Sequence, residues 1–284
     1  MRMTTYRMCI TIGMNNLKYQ FGFIGMGNMG TAMLKGCLCV YSPQEITAVR
    51  KKKPELAQMA REMGFCAAES IRECVSASKN VILAVKPQVY PEVLPQVKEA
   101  VTPDTVIISL APGWSIARLK EALGESVRIV RIMPNTPAAV GAGMTGYCFS
   151  EDDYSEEEKT QVERFLNSFG LALEVPEHLM SAVTVASGSS PAFVYMMIEA
   201  LADGAVACGM PRQQAYRFVA QTVLGSAQMV LSTGKHPGQL KDEVCSPGGT
   251  TIAGVASLEA TGFRSSLIEA ALSVEQRCLE MQGE

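Results

Sequence analysis

The 284-residue sequence lacks any long uninterrupted apolar run. Gly, Ser, Asp or Lys breaks each apolar stretch before it reaches the roughly 18 residues that a membrane-spanning helix needs. A positive charge excess is also missing, because 25 Lys and Arg stand against 28 Asp and Glu, a formal net charge of −3. Little would therefore attract a nucleic-acid backbone. We expect small molecules and further copies of the chain as partners, with no nucleic acid and no membrane.

Histidine is scarce as well, since the chain has only His178 and His236. Both adjoin predicted turns or helix starts, a setting typical of surface or capping residues rather than of a catalytic base. No metal site is predicted, because His, Cys and carboxylates nowhere have ligand spacing. The nine cysteines form no Cys-x-x-Cys pair, and such scattered thiols are typical of a reducing cytoplasm. We therefore expect a cytoplasmic protein whose chemistry needs little acid–base help.

The N-terminal segment MRMTTYRMCITIGMNNLKYQ has no sustained apolar core and no convincing small-residue cleavage site, so no secretory signal is expected. A start at Met14 would place the first strand close to the N-terminus. We therefore hypothesise that residues 1–13 are a disordered start-site extension. Mass spectrometry of natively expressed protein would test this hypothesis.

Short β-branched runs alternate with helical segments between residues 18 and 175. The runs are YQFGFIG, EITAV, NVILAV, DTVIISL, VRIVRIM and LALEV. Strands that alternate with helices indicate βαβ units and a parallel sheet. Beyond residue 175 the β-branched runs end and long helical segments such as PAFVYMMIEALADGAVACG follow. The predicted fold class is α/β, with a Rossmann-like doubly wound domain over residues 14–175 and an all-α domain over residues 176–284.

The predicted C-terminal helices are apolar on more than one face, as the nearly contiguous Phe193, Val194, Met196 and Met197 illustrate. Such helices need neighbours on several sides, and a domain of about a hundred residues supplies few of them. This pattern favours dimerisation through the helical domain. The alternative is a monomeric helical bundle with its own core.

A glycine-rich turn follows the first predicted strand. The strand FGFI runs into GMGNMG and then into a predicted helix, so that Gly25, Met26, Gly27, Asn28, Met29 and Gly30 form a phosphate-binding loop. In this context Gly25 permits a tight turn, Gly27 lets a pyrophosphate approach the backbone and Gly30 allows close packing. The phosphates would lie at a helix N-terminus, where free N–H groups favour anions. The alternative is a purely structural glycine turn.

The end of the second predicted strand bears on the choice between NAD and NADP. An acidic residue there would bind the ribose 2′-hydroxyl, but the sequence at residues 50–53 is RKKK. Cations favour a 2′-phosphate, so Arg50 and Lys51 predict NADP as the cofactor. A solvated basic loop is the alternative.

Three further predicted strands end abruptly in small residues and proline. Because ligands bind at the carboxyl ends of such strands, these ends are predicted to line a nicotinamide pocket. The residues concerned are Ala84, Val85, Lys86, Pro87, Ala111, Met133, Pro134 and Asn135. For any one strand, simple termination by proline explains the pattern equally well.

The segment DEVCSPGGTTIAG at residues 242–254 predicts a second anion site. Glycines and threonines precede a helical run there, so backbone donors and hydroxyls suit a substrate carboxylate. The predicted substrate-binding residues are Ser246, Gly248, Gly249, Thr250 and Thr251. Chemistry that needs little acid–base help fits reduction of a cyclic imine, whose nitrogen can arrive already protonated. Thr251 is also the predicted catalytic residue, because its hydroxyl could donate or shuttle a proton near the imine nitrogen. An ordinary N-cap after a glycine turn is the alternative.

These segments together resemble the Δ1-pyrroline-5-carboxylate reductase family over about residues 18–281. The resemblance rests on FIGMGNMG, ILAVKPQ, RIMPNTPAAVGAGMT, SGSSPAFVYMMIEALADGAVACGMPRQQA and, most specifically, GKHPGQLKDEVCSPGGTTIAGVASLEA. It implies NADPH-dependent reduction of 1-pyrroline-5-carboxylate to L-proline, the last step of proline biosynthesis, with NADH as a weaker donor. It further implies a homodimer with interlocked helical domains, often assembled into decamers, and a substrate site at the dimer interface.

Other functions stay open at this point. A β-hydroxyacid dehydrogenase shares the glycine loop but needs a lysine on its interdomain helix, and the segment SAVTVASGSSPAFVYMMIEAL contains none. Another NADP-dependent imine oxidoreductase fits the same residues. A non-catalytic NADP-binding regulator is disfavoured by the intact PGGTT and VKP motifs. Oxidation of NADPH with pyrroline-5-carboxylate, compared with 3-hydroxy acids plus NADP, would separate these functions.

Overall fold

The computed structural model describes residues 17–283, so the hypothesis about residues 1–13 concerns residues outside the described range. The chain divides into two compact units. The first unit comprises the residues up to Met133 together with Pro137–Glu177, and the second comprises Pro134–Thr136 together with the residues from His178 onward. The division thus falls just beyond Val175, where the sequence pattern changes, and it adds a short upstream segment to the helical unit.

An eight-stranded sheet forms the centre of the first unit, with the strand order β3-β2-β1-β4-β5-β6-β7-β8. Strands β1 to β6 run parallel, β7 is antiparallel to β6, and β8 is parallel to β7. The strands are β1 (Tyr19–Ile24), β2 (Ile46–Val49), β3 (Cys66–Ala67), β4 (Ser78–Leu83), β5 (Val106–Ser109), β6 (Arg128–Met133), β7 (Gly143–Phe149) and β8 (Gly170–Glu174). The doubly wound parallel sheet predicted from the sequence is thereby confirmed.

Helices cover both faces of this sheet. One core joins the sheet to α1, α2 and α6 through side chains such as Leu34, Leu56 and Phe165. The other joins it to α3, α4 and α5 through side chains such as Val75 and Leu119. Successive residues of a strand alternate between the two cores because strand side chains have a period of two. The helices are α1 (Asn28–Cys37), α2 (Lys53–Met63), α3 (Ile71–Ser76), α4 (Tyr90–Lys98), α5 (Ile116–Leu123) and α6 (Glu156–Leu166).

Two strands were not predicted from the sequence. Strand β3 has only two residues, too few for a periodic pattern. Strand β7 reads GMTGYCF, and its two glycines interrupt the β-branched run that marks the other strands. It forms because antiparallel pairing with β6 and parallel pairing with β8 satisfy its backbone on both sides. Tertiary pairing therefore overrides a weak local signal here.

The second unit is helical apart from its connections and the segment Pro134–Thr136. Its helices are α7 (Met180–Val183), continued by a π-helical stretch (Thr184–Ser189) into α8 (Ser190–Ala207), then α9 (Arg212–Thr233), α10 (Pro237–Val244), α11 (Thr250–Ala260) and α12 (Phe263–Gly283). The predicted breaks are confirmed, since Gly209 and Gly234 adopt positive φ angles of 98° and 64°. Pro211 and Pro237 then stand at the starts of α9 and α10.

Large apolar side chains lie exposed on the helices of the second unit. Phe218, Leu231 and Leu272 are 64%, 79% and 64% exposed. The helical stretch Glu177–Ala207 is long and apolar enough to cross a membrane by length and composition, with a mean hydropathy of 1.2 over its best window. Exposed apolar side chains of this number are typical of a surface that is buried against another molecule.

Candidate active site

The carboxyl ends of four neighbouring strands meet at one edge of the sheet. The register pairs Ile24 with Leu83, Leu83 with Ser109, and Ser109 with Arg131. The strand order reverses direction between β1 and β4, because β2 and β3 lie on one side of β1 and the later strands lie on the other. A reversal of this kind opens a crevice at the carboxyl edge, where doubly wound sheets bind ligands.

The glycine loop between β1 and α1 lies at this crevice. Gly25 has a φ of +96°, and a Cβ there would come within 2.6 Å of Val85 Cγ1. A Cβ on Gly30 would collide with the carbonyl oxygen of Gly25. At Gly27, by contrast, nothing lies within 4 Å of the Cβ position. Packing within the protein therefore accounts for Gly25 and Gly30, whereas the open space at Gly27 fits an external group that approaches the backbone.

Backbone donors face the same open space. Gly27 is the N-cap of α1, it makes no side-chain cap hydrogen bond, and the first turn of α1 contains no acidic residue. Helices α3, α5 and α6 instead begin at Ser70, Ser115 and Ser155, whose hydroxyls accept hydrogen bonds from backbone N–H groups. The start of α1 thus keeps its N–H donors and its positive dipole end available for an anion such as a pyrophosphate. The loop residues fit the dinucleotide predicted from the sequence.

The predicted loop residues differ in what they can contribute. Gly27 and Asn28 are exposed, and Met29 is half-buried. Met26 is buried in the core between the sheet and α1, so it can offer a ligand only backbone atoms. A sequence pattern does not distinguish these cases, because burial depends on the turn geometry.

Two short loops flank the glycine turn. Ala84 donates its N–H to the Ile24 carbonyl at 2.8 Å, which continues the pairing of β1 and β4 and brings Val85 against Gly25. Lys86 is exposed, and Pro87 begins a short 3₁₀ turn. On the next strand, Ala111 is buried and begins a turn closed by a hydrogen bond from Trp114 N–H to its carbonyl. These two loops form one wall of the crevice.

The third group of predicted residues is divided between the two units by the boundary after Met133. Met133 is buried at the end of β6 in the first unit. Pro134 and Asn135 belong to the second unit, where the Asn135 side-chain amide donates to the Ser187 carbonyl at 3.1 Å. Asn135 therefore has a structural role within the helical unit whatever it contributes to a ligand.

The basic run after β2 is already paired with carboxylates. Arg50 contacts Glu55 at 2.5 Å, and Lys52 reaches the other oxygen of that carboxylate at 3.0 Å. Lys51 pairs with Glu92, and Lys53 pairs with Glu69, both at 2.8 Å. Hydrogen bonding to Lys52 lowers the pKa of Glu55, which is therefore ionised.

The sequence has no acidic residue directly at the end of β2, but the fold places carboxylates beside the cations there. Glu55 lies in the first turn of the next helix and was visible as a nearby acid in the sequence. Glu92 is 41 residues from its partner, so only the fold reveals it. A 2′-phosphate that binds Arg50 has to share or displace Glu55.

A second glycine-started helix occurs in the second unit, at the predicted substrate segment. Gly249 is the N-cap of α11 without a side-chain cap hydrogen bond, and no acid lies in the first turn. Gly248 has a φ of +69°, and Gly249 N–H donates to the Ser246 carbonyl at 3.0 Å. This compact turn presents the N–H groups of Thr250 and Thr251 at the positive end of the α11 dipole.

The side chains of the segment are accessible to a ligand. Ser246, Gly248 and Thr250 are exposed, while Gly249 and Thr251 are half-buried. Within the described residues the structure shows no hydrogen-bond partner for the Thr251 hydroxyl. The start of α11 can therefore accept a carboxylate and offer a hydroxyl to a neighbouring atom.

The two histidines have the positions predicted for them. His236 is the N-cap of α10, and its Nδ1 accepts the Gly238 N–H at 3.1 Å. His178 lies in a short 3₁₀ turn. Among residues 17–283, no group of three His, Cys, Asp or Glu side chains is placed to hold a metal ion.

Comparison with known proteins agrees with this arrangement. The family model described as pyrroline-5-carboxylate reductase dimerisation matches residues 177–281, which indicates that the chain oligomerises through its helical unit. The model described as NADP oxidoreductase, coenzyme F420-dependent, matches residues 20–113. These two matches correspond to the helical unit and to the glycine-loop half of the sheet.

Individual relatives match over nearly their whole length. The pyrroline-5-carboxylate reductase of Escherichia coli is 44% identical over 89% of this chain and 95% of its own, and that of Methanosarcina acetivorans is 42% identical over 92% and 97%. The crystal structure of the Plasmodium falciparum pyrroline carboxylate reductase with NADP bound matches with a TM-score of 0.84 and 30% identity, over 94% of this chain and 100% of that chain. The Coxiella burnetii enzyme matches with a TM-score of 0.86 and 32% identity, over 93% and 98%. The chain therefore belongs to the pyrroline-5-carboxylate reductase family.

Proposed function

We propose that this protein reduces 1-pyrroline-5-carboxylate to L-proline with NADPH. The observation that carries the proposal is the pair of glycine-started helices, one at a sheet edge built for a dinucleotide and one in the helical unit that suits a carboxylate. The relatives reported above bear the name of this activity, and one was crystallised with NADP.

The first unit would hold the cofactor. Residues 25–30 would bind the pyrophosphate through backbone N–H groups at the start of α1, and Arg50 and Lys51 would face the 2′-phosphate. Residues 84–87 and Ala111 would border the nicotinamide, with residues 133–135 behind them. When bound, NADPH supplies a hydride to the imine carbon. The adenosine 2′-phosphate is the part that distinguishes it from NADH, which we expect to be a weaker donor.

The second unit would hold the substrate. The carboxylate would accept hydrogen bonds from the N–H groups of Thr250 and Thr251 and contact Gly249, with Ser246 and Gly248 shaping the turn. The half-buried Thr251 hydroxyl oxygen would accept a hydrogen bond from the N–H of the protonated imine, and its O–H could donate to the nitrogen lone pair that forms when the carbon takes up hydride. A protonated imine needs no further acid, so the reaction does not require a histidine at the start of α11.

We further propose that the functional unit is a homodimer with interlocked helical domains, which can assemble into decamers, and that it works in the cytoplasm. The exposed apolar side chains of α9 and α12 support burial against a second copy, and the dimerisation match covers both helices. Burial of this surface by protein also accounts for the apolar stretch Glu177–Ala207.

The direct test follows the absorbance of NADPH in two assays. One measures oxidation of NADPH by 1-pyrroline-5-carboxylate, and the other measures reduction of NADP by 3-hydroxy acids. Turnover with the imine alone is the expected result. Failure with the imine, or faster turnover with a hydroxy acid, would overturn the proposal.

Substitution of Thr251 tests the substrate half. Thr251→Ala should lower kcat by about tenfold or more, as expected for loss of a proton-handling group, with NADPH affinity nearly unchanged. Thr251→Ser keeps the hydroxyl and should restore most of the activity. Thr261→Ala is a matched control, because this hydroxyl at the other end of α11 donates to the Ser257 and Leu258 carbonyls of its own helix. A large loss of NADPH binding in Thr251→Ala would instead assign this segment to the cofactor site.

A further inference from the structure

The buried hydroxyl of Tyr90 joins the two wall loops of the crevice from below. Tyr90 is the first residue of α4 and is fully buried. Its hydroxyl donates to the carbonyl of Leu83, the last residue of β4, at 3.0 Å. The same oxygen lies 3.1 Å from the hydroxyl of Ser109, the last residue of β5. One side chain therefore connects the ends of the two strands from which residues 84–87 and 110–113 depart.

Burial and hydrogen bonding have opposite effects on the pKa of the Tyr90 hydroxyl. Burial raises the pKa of Tyr90, and hydrogen bonding to Ser109 and to the backbone of Leu110 and Ala111 opposes this rise. The hydroxyl is thus neutral, and its partners Leu83 and Ser109 are the last residues of the two strands that lead into the loops. A buried polar group with this many partners fixes their relative positions, because breaking any contact would leave an unsatisfied buried atom.

The ring of Tyr90 extends the connection along the second loop. It packs against Trp114 at a centroid distance of 5.2 Å. The guanidinium of Arg118 lies over the Trp114 ring, 4.2 Å from its centroid. Arg118 also donates to the Gly113 carbonyl at 3.2 Å. Gly113 has a φ of +77°, and with Pro112 before it the turn has the residues that a type II turn requires. Together the three side chains hold this turn from both ends.

We propose that Tyr90, Trp114 and Arg118 form a positioning cluster for the nicotinamide half of the cofactor site. This inference rests on the proposed NADPH-dependent reduction. The cluster touches no residue of the glycine loop or of the basic run in the hydrogen bonds and ring contacts given above. It therefore sets the spacing of the nicotinamide wall and leaves the adenosine end of the cofactor unaffected.

The chain contains a matched control for the hydroxyl. Tyr154 donates to the Ile129 carbonyl at 3.0 Å, and its oxygen lies 2.8 Å from Ser150 Oγ. This is the same chemistry, a tyrosine hydroxyl shared between a strand carbonyl and a serine. Ile129 lies near the start of β6, however, so Tyr154 acts at the edge of the sheet opposite to the crevice.

The test compares Tyr90→Phe with Tyr154→Phe in two binding titrations. NADPH binding is followed by quenching of Trp114, the single tryptophan of the chain, and binding of 2′,5′-ADP, which lacks the nicotinamide, is followed by calorimetry. Tyr90→Phe should weaken NADPH binding about fivefold, the effect of one or two lost hydrogen bonds, and leave 2′,5′-ADP binding unchanged. Tyr154→Phe should change neither.

Arg118→Gln provides a second variant that removes only a half-exposed side chain, and it should show the same selective loss. Unchanged NADPH binding in both Tyr90→Phe and Arg118→Gln would overturn the inference, as would a parallel loss of 2′,5′-ADP binding. Failure of the wild-type protein to bind NADPH at all is a different outcome, because it would overturn the proposed function itself.

Discussion

At the scale of single residues, Gly27 and Gly30 of the same loop meet different physical demands. Gly30 lies against the backbone carbonyl of Gly25, whereas Gly27 borders open space. Gly30→Ala should therefore lower the free energy of unfolding by about 1–3 kcal/mol, as overpacking does. Gly27→Ala should fold normally but bind NADPH about tenfold more weakly, since the methyl group would occupy the path of the pyrophosphate. Thermal unfolding and NADPH titration of both variants would check this, and equal stability losses would contradict it.

Arg50 and its partner Glu55 give a second prediction at this scale. Arg50→Glu should raise KM for NADPH far more than KM for NADH, because only NADPH carries the 2′-phosphate. Glu55→Gln should lower KM for NADPH about two- to fivefold, the range set by an exposed ion pair, and leave KM for NADH unchanged. Steady-state kinetics with both donors would measure these effects. Equal effects of Arg50→Glu on the two donors would contradict the assignment.

The sequence predicts which residue types form the site, but it does not predict the charged and polar groups that surround them. The glycine spacing alone predicts the tight turn at Gly25, because such a turn needs a positive φ angle that glycine adopts readily. The pairing of Lys51 with Glu92, or the contact of Tyr90 with Leu83 and Ser109, depends on strands brought together by the sheet. Nothing in the local pattern around Tyr90 separates it from an ordinary core aromatic.

At the scale of elements, strong patterns predicted the parallel strands and the helix breaks, and weak ones failed. Strands β4 to β6 are buried on both faces over most of their length, and each carries a run of β-branched residues that marks it as a strand. Strand β7 carries two glycines and depends on its neighbours for pairing. Its antiparallel direction follows from the short connection after β6, which has no room for a crossover helix.

The turn between β7 and α6 gives a prediction about acid stability. Burial tends to raise the pKa of Asp152, but hydrogen bonds from Lys120 on α5 and from Ser150 outweigh it and lower the pKa below its ordinary value. The folded state therefore favours the ionised form, so this carboxylate stabilises the protein above about pH 4. That contribution is lost as pH falls through the lowered pKa.

Asp152→Asn should therefore reduce the drop in unfolding temperature between about pH 5 and pH 3. Circular dichroism melts across this range would measure it. Asp153→Asn is the control, because the exposed neighbour has no ion pair among the residues described. A drop in Asp152→Asn as steep as in the wild type would contradict the prediction.

At the scale of the whole molecule, both units expose large apolar side chains, but only those of the helical unit lie in the region matched by the dimerisation family. Leu231 on α9 is 79% exposed in the single chain, and Val140 in the first unit is 81% exposed. Only Leu231 lies in the region matched by the dimerisation family. If a second copy covers it, Leu231→Glu buries a charge on assembly and should weaken association at least about tenfold. Val140→Glu should leave association unchanged.

Sedimentation equilibrium of the two variants over a concentration series would measure this difference. A monomeric wild-type protein, or equal association of Leu231→Glu and the wild type, would contradict the assignment. The sequence predicted the oligomer from apolar helices in a small domain, and the family match confirms oligomerisation. It could not predict which side chains stay uncovered, because that depends on how the helices pack within one chain.

The upstream segment Pro134–Thr136 has a consequence for how such genes diversify. Three residues leave the sheet-containing unit and join the helical one, where Asn135 binds the Ser187 carbonyl, before the chain returns. A single recombination event near residue 177 therefore cannot exchange the whole helical unit, because the unit also includes Pro134–Thr136. A chimaera made by one crossover would inherit a foreign tripeptide, so successful shuffling between relatives requires a matched double exchange.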